Sequence, residues 1–257
     1  MVSWEFASKE LKVDESVVAD LCAQSRKSFA GTTELIAKKQ ELQKKYLDSL
    51  ESLGISTFDF HATTTSPFIT GLGSGHPTET GMILDRNIGV PYIPASSIKG
   101  VLRLACAINL AKANEEYAKN GIVPDDDKTL VTYFGSMSQD ENKQARGQLM
   151  FLDAYPSKSV RITLDIMNPH FGKYYSGENK QPVETESPIP IKFLTVAQGT
   201  EFIFRCAFMP LGNKTLSDSE KQTVQNDVDA MFKTAFETVG FGGKTAIGYG
   251  RFKMLEA

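Results

Sequence analysis

Five glycines crowd the end of the chain: Gly240, Gly242, Gly243, Gly248 and Gly250, in the stretch GFGGKTAIGYG. Glycine tolerates positive φ and lets one backbone approach another closely. Exposed amides beside Lys244 and Thr245 suit a phosphate cradle. The same glycines also suit a tight helix-to-strand turn. In the strand expected to follow, Tyr249, Arg251 and Lys253 share one face, and Ala246, Gly248, Gly250, Phe252 and Met254 share the other. GFGGKT carries letters of the nucleotide-binding loop GxxxxGK[ST]. That loop, however, follows a strand and opens a helix, whereas these glycines follow a helix and open a strand. Nucleotide hydrolysis is therefore not expected.

A second cluster is GVPYIPASSIKGVLR, residues 89–103. Pro94, Ser96 and Ser97 end a loop and start a helix, with a serine as the expected N-cap. Free amides at a helix start, with Lys99 and Arg103, make an anion site. A capped helix carrying two solvated cations is the alternative. Such cations hold phosphate without reading bases. The stretch Ser96–Arg103 carries +2 and Lys244–Lys253 carries +3, while Asp218–Glu237 has five acids against two lysines. A basic ridge is thus compatible with a net charge of −3, which by itself speaks against nucleic-acid binding.

Other reactive groups are sparse. Cys22, Cys106 and Cys206 are odd in number, far apart and flanked by apolar residues, so neither a metal site nor a disulfide framework is expected. His61, His76 and His170 lack metal-ligand spacing. No metal and no cofactor is expected. Asp59, Asp153 and Asp165 are scattered strand acids without a pairing. His61, ending a strand, and His170, beside Asn168, are the candidate proton-transfer groups; a structural His61 and an RNA-stacking or interface His170 are the alternatives. Phe171, Tyr174 and Tyr175 suit base stacking or burial against a neighbour. No 18-residue apolar run exists, and the N-terminus lacks a signal-peptide layout, so a cytoplasmic protein is expected.

Periodicity supplies the frame. Residues 14–51 read as helical, and Thr33–Leu53 is amphipathic and closed by Gly54. It is either a solvated helix covering a core or a partner-docking helix. A strand is expected at 55–64, a helix at 96–119, strands at 147–153, 160–167 and 200–209, and a helix at 218–239 opened by a Ser217–Glu220 capping box. The order predicts an α+β fold: a ferredoxin-like (RRM-like) β-α-β-β-α-β domain over 55–257, with irregular insertions at 65–95, 120–146 and 168–189, behind an N-terminal helical region at 1–54.

The helix-start motif and the glycine loop together resemble the RAMP superfamily of CRISPR-associated proteins. Gly89, Pro91, Pro94, Ser96, Ser97, Lys99, Gly100 and Arg103 match a G-hP-SS-KG-R pattern, and GFGGKTAIGYG matches GxGG+TxxGxG. TGLGSGHPTETG, FLDAYP, DIMNPHFGKYY and PIKFLTVAQGTEFIF extend the resemblance over about 55–255, and it is stronger still to the sixth-subunit branch of the type III-B (Cmr) effector complexes. It implies a non-catalytic subunit that binds RNA on a sheet face and the glycine loop, and caps the end holding the 3′ part of the crRNA. The implied partners are crRNA, target single-stranded RNA, the backbone RAMP subunit, the small helical subunit and another RAMP subunit at that end, with no membrane. Ser96, Ser97, Lys99, Arg103, Gly242, Gly243, Lys244, Thr245, Tyr249, Arg251 and His170 are the candidate RNA contacts. A metal-independent guide-processing endoribonuclease, as some relatives are, and a purely structural adaptor are the alternatives.

Overall fold

The computed structural model describes residues 31–73, 81–137, 140, 144–167, 177, 180–181, 190–212 and 215–255. His170, Phe171, Tyr174 and Tyr175, and the expected helix before residue 31, lie outside them.

Two strands rich in phenylalanine form the centre. β1 (Ser56–Thr64) runs antiparallel to β6 (Glu201–Phe208), pairing Phe58 with Cys206, Phe60 with Phe204 and Ala62 with Phe202. β2 (Leu149–Phe151) and β3 (Tyr155–Pro156) add to β6, and β7 (Phe252–Met254) adds to β1. The sheet order is β2-β6-β1-β7, antiparallel throughout. The period-2 alternation turns Phe58, Phe60, Phe202, Phe204 and Phe208 to one face. There they meet two long helices, α2 (Ala95–Ala113) and α5 (Asp218–Thr234). Phe60 stacks on Phe232 with ring centroids 4.1 Å apart, and Phe204 touches Phe232, Phe236, Phe241 and Phe252. The Ser217–Glu220 capping box opens α5 as its sequence predicts.

The opposite face is also covered. α1 (Thr33–Ser52) lays Leu47 and Leu50 on Ala207, and Ile36 beside Tyr155 and Val90. Arg205 is 5% exposed beneath it. Its Nε donates to Asp59 at 3.1 Å, and its Nη1 to the side-chain oxygens of Gln40 and Gln43. Both glutamines donate in turn to backbone carbonyls of Asp153, Tyr155 and Pro156. All of Phe202–Phe208 is therefore buried. This departs from the implied RNA contact on the sheet face: over β6 that face belongs to α1. Alternation in FIFRCAF showed one apolar face and could not show that a helix covers the other.

Other elements shift for local reasons. The helix expected at 96–119 breaks at Asn114, whose extended backbone and side chain cap α3 (Glu115–Asn120). The stretch 120–146, read as irregular, contains α4 (Lys128–Phe134), capped by Asp127. The strand at 160–167 is β4 (Ile162–Met167), but it leaves the main sheet and pairs with β5 (Ile191–Val196). No strand over 191–196 was expected from the sequence. α5 stops at Thr234 and continues as a π-helical turn, Ala235–Val239. The last strand begins only at Phe252, because Lys244, Gly248 and Gly250 take positive φ and curl 244–250 into turns. Tyr249, Arg251 and Lys253 consequently share no strand face.

Candidate nucleic-acid interface

The glycine loop is bolted to residues 65–69. Gly243 N–H donates to Ile69 O, Gly250 N–H to Pro67 O, and Arg251 N–H to Ser66 Oγ, at 2.9, 2.9 and 3.0 Å. Phe241 N–H closes the loop on Gly250 O, while the Phe241 ring anchors it in the aromatic core. At Gly242 (φ +82) a Cβ would land on the Ile69 carbonyl oxygen, and at Gly250 (φ +66) on that of Phe241. Close backbone approach, as much as φ, demands glycine at these two positions.

Lys244 is the sole non-glycine residue at positive φ among the described residues, at +58°. Left-handed backbone at a side chain costs about 1–2 kcal/mol, and such outliers cluster at functional sites. Its ammonium stands 5.6 Å from the Phe193 ring centroid. Tyr249 packs on the same ring and donates to Asp165 Oδ2 at 2.6 Å. That carboxylate bond, helped by burial, pushes the Tyr249 phenol up to about 12, so it remains a donor at neutral pH. The β4–β5 hairpin thus docks on the loop through Asp165, read from the sequence only as a strand acid without a pairing, and Phe193. Phe193 was visible only as one apolar position in IKFLTV.

The helix-start motif is assembled differently from its expectation. Pro94, not a serine, is the N-cap, with no side-chain cap bond from that residue. The Asp153 carboxylate caps the helix instead, accepting from Ala95 N–H at 2.7 Å. That carboxylate already takes one of the helix-start amides an anion would use. Ser96, Ser97 and Lys99 are exposed on the first turn. Arg103 is committed internally: Nη1 donates to Gly135 O at 3.2 Å and Nη2 pairs with Asp125 at 3.1 Å, bracing α2 against the end of α4. Among the described residues no hydrogen bond or ring contact joins the two motifs directly. Residues 65–70 link them: Ile69 O receives the loop, and Thr70 Oγ1 donates to Tyr92 O just before the helix.

His61 lies within β1 opposite Ile203, not at the strand end, and is exposed, with Nδ1 2.7 Å from Glu201 and Nε2 3.6 Å from Asp59. Among the described residues no group of three or more His, Cys, Asp or Glu side chains could hold a metal ion, and no helix is long and apolar enough to cross a membrane.

A model of the RAMP superfamily matches residues 61–253, which contain the loop, the helix start, the β4–β5 hairpin and most of the main sheet. The chain belongs to the RAMP superfamily. It is similar to the CRISPR system Cmr subunit Cmr6 of Pyrococcus furiosus, 31% identical over 93% of this chain and 79% of that one. It also resembles the Cmr6 subunit of Saccharolobus solfataricus, at 25% identity over 86% of this chain and 69% of the relative. In fold it resembles a chain of the type III-B Cmr-beta complex bound to cognate target RNA, with a TM-score of 0.58 at 22% identity. That match covers 85% of this RAMP chain and 65% of the other.

One pH response arises where β6 begins in this RAMP sheet. Burial pushes the Glu201 carboxyl up, but hydrogen bonds from His61 and Ser157 outweigh it and hold the group below its ordinary range. A depressed carboxylate stabilises the fold fully above its unfolded value, about 4.3, and loses that contribution as pH falls through the lowered value. Glu201→Gln is therefore expected to lower the thermal midpoint at pH 7, with the gap from the parent protein closing as the pH is taken down to 3. A constant gap across that range would remove Glu201 from the acid response.

Proposed function

We propose that this RAMP protein is a non-catalytic RNA-binding subunit of a type III-B CRISPR (Cmr) effector complex, capping the end that holds the 3′ part of the crRNA. The observation that carries the reading is the loop itself. It is a backbone arch, pinned to 65–69, that holds Lys244 in a left-handed conformation beside the amides of Thr245 and Ala246, which have no acceptor among the described residues. Backbone amides flanked by a lysine suit the phosphates of a single strand and read no base. Base pairing between guide and target then supplies sequence specificity. The family match and the Cmr6 relatives support membership of such a complex, with the other Cmr subunits, crRNA and target RNA as partners. The sheet order supports the ferredoxin-like reading, since β7-β1-β6-β2 is the antiparallel 4-1-3-2 order that β-α-β-β-α-β units adopt.

The test is ultraviolet crosslinking of the assembled complex with Lys99→Glu and Lys244→Glu. Arg103 is a poor probe because its charge is already spent on Asp125 and Gly135. Lys244→Glu is expected to lose most of the crosslink from this subunit and to weaken guide retention, and Lys99→Glu to do so less, because Asp153 already occupies its helix start. Unchanged crosslinking in both would favour the adaptor reading. Among the described residues His61, tied between two carboxylates, is the candidate for cleavage chemistry; His170 is the other. Metal-free incubation of the subunit with repeat RNA is expected to leave the RNA intact, and His61-dependent cutting would replace this proposal with an endoribonuclease.

A further inference from the structure

Arg251 was expected to face RNA, yet it points inward. Its Nη1 is buried with no hydrogen-bond acceptor among the described residues. Its Nη2 donates to Thr245 O at 3.1 Å. No carboxylate pairs with it among the described residues. The guanidinium lies instead under Gly240, the residue that ends the π-helical turn after α5, where a side chain on Gly240 would strike Nη1. A cation at the carboxyl end of a helix meets the negative pole of its dipole. That placement explains how the charge is tolerated inside. A buried donor left without an acceptor is costly, so the placement calls for a return elsewhere.

That return lies in the loop. A trans peptide points its C=O and N–H in opposite directions, and the described residues contain no cis bond. Arg251 Nη2 and Gly248 N–H both bond Thr245 O, so the Ala246 N–H of that peptide points away from them. Ile247 N–H and Tyr249 N–H bond Lys244 O in the same way, so the Thr245 N–H points away from them. Among the described residues neither of these two amides has an acceptor. Ala246 is exposed.

Resting on the RNA reading above, we infer that Arg251 is a positioning residue: it contacts no phosphate, and clamps the Thr245–Ala246 peptide so that the loop amides are aimed at one. Lys244 supplies the charge and Arg251 supplies the aim.

The experiment uses the full chain with a mixed-sequence single-stranded RNA oligonucleotide, titrated over a range of salt, with amide exchange followed separately. Arg251→Gln is expected to weaken binding on the order of tenfold, the effect of one misplaced hydrogen bond to a charged group, with the salt dependence of the parent. Exchange at Ile247, Gly248 and Tyr249 should quicken while the β1 amides stay protected. Arg251→Lys should not rescue, because an ammonium cannot span Gly240 and Thr245. Lys244→Gln should instead lower the slope of log K against log salt by about 0.7, one phosphate contact on a single strand, with loop exchange unchanged. A reduced slope in Arg251→Gln that Arg251→Lys restores would make Arg251 a direct contact and overturn the inference. Unchanged affinity and exchange, or an equal loss of protection in β1, would overturn it too. If Lys244→Gln left both affinity and slope intact, the RNA reading would fall by itself; the exchange arm needs no RNA and would still report the clamp.

Discussion

Gly250→Ala is expected to destabilise the protein by about 3 kcal/mol or more and to abolish the RNA contact of the loop. A left-handed alanine costs about 1–2 kcal/mol, and Gly250 has φ +66. The larger penalty is steric. The new Cβ would fall on the Phe241 carbonyl, backbone against backbone, with no flexible side chain to give way. Relief requires opening Phe241 N–H to Gly250 O and Gly250 N–H to Pro67 O, at about 1 kcal/mol each. Phe241 would then leave an aromatic core in which it touches Phe204, Phe236 and Phe252. Gly248→Ala is the control. It has φ +99 but nothing within 4 Å of an added Cβ, so it carries conformational strain alone. Denaturant unfolding of the two variants compares them directly. Equal losses would show that the loop is not held by close backbone approach.

Asp59→Ala is expected to cost about 2–4 kcal/mol, and Arg205→Met half of that or less. Removing one partner of a buried pair costs roughly 3–5 kcal/mol, and water screens part of that here because Asp59 is 31% exposed while Arg205 is 5% exposed. The asymmetry follows from what each change leaves behind. Without Asp59, a guanidinium is trapped between sheet and helix with only the glutamine oxygens for company. Without Arg205, Asp59 turns to water and methionine fills the volume. Both changes should loosen α1 specifically, seen as faster amide exchange in Thr33–Ser52 than in α5. The reverse order of destabilisation, or loosening confined to β1, would mean the network does not hold the helix to the sheet.

Those two sites also mark where the sequence was legible. The phenylalanine alternation placed β1 and β6, the capping box placed the start of α5, and the amphipathic stretch Thr33–Leu53 placed α1, since each is a local periodicity or a local hydrogen bond. The hairpin strand β5 escaped because its partner, β4, lies beyond an insertion and was assigned to the main sheet. The serines misled as caps because the true cap, Asp153, comes from a loop 58 residues away.

By itself the sequence determined the motifs: a glycine loop with Lys244 at its turn, a Ser-Ser-Ile-Lys-Gly helix start, and the order of strands and helices that makes this a RAMP protein. Only the tertiary structure decided which cations face outward. Lys99 does, and Lys244 is half-buried with its ammonium 5.6 Å from the Phe193 ring centroid. Arg103 is taken by Asp125 and Gly135, Arg205 by Asp59 and α1, and Arg251 by Gly240 and Thr245. All three committed cations are arginines, whose several fixed donors reach carbonyl or carboxylate oxygens. Those partners come from segments distant in the chain or folded back by the glycines, so periodicity could place each arginine on an element but not on a side of the molecule.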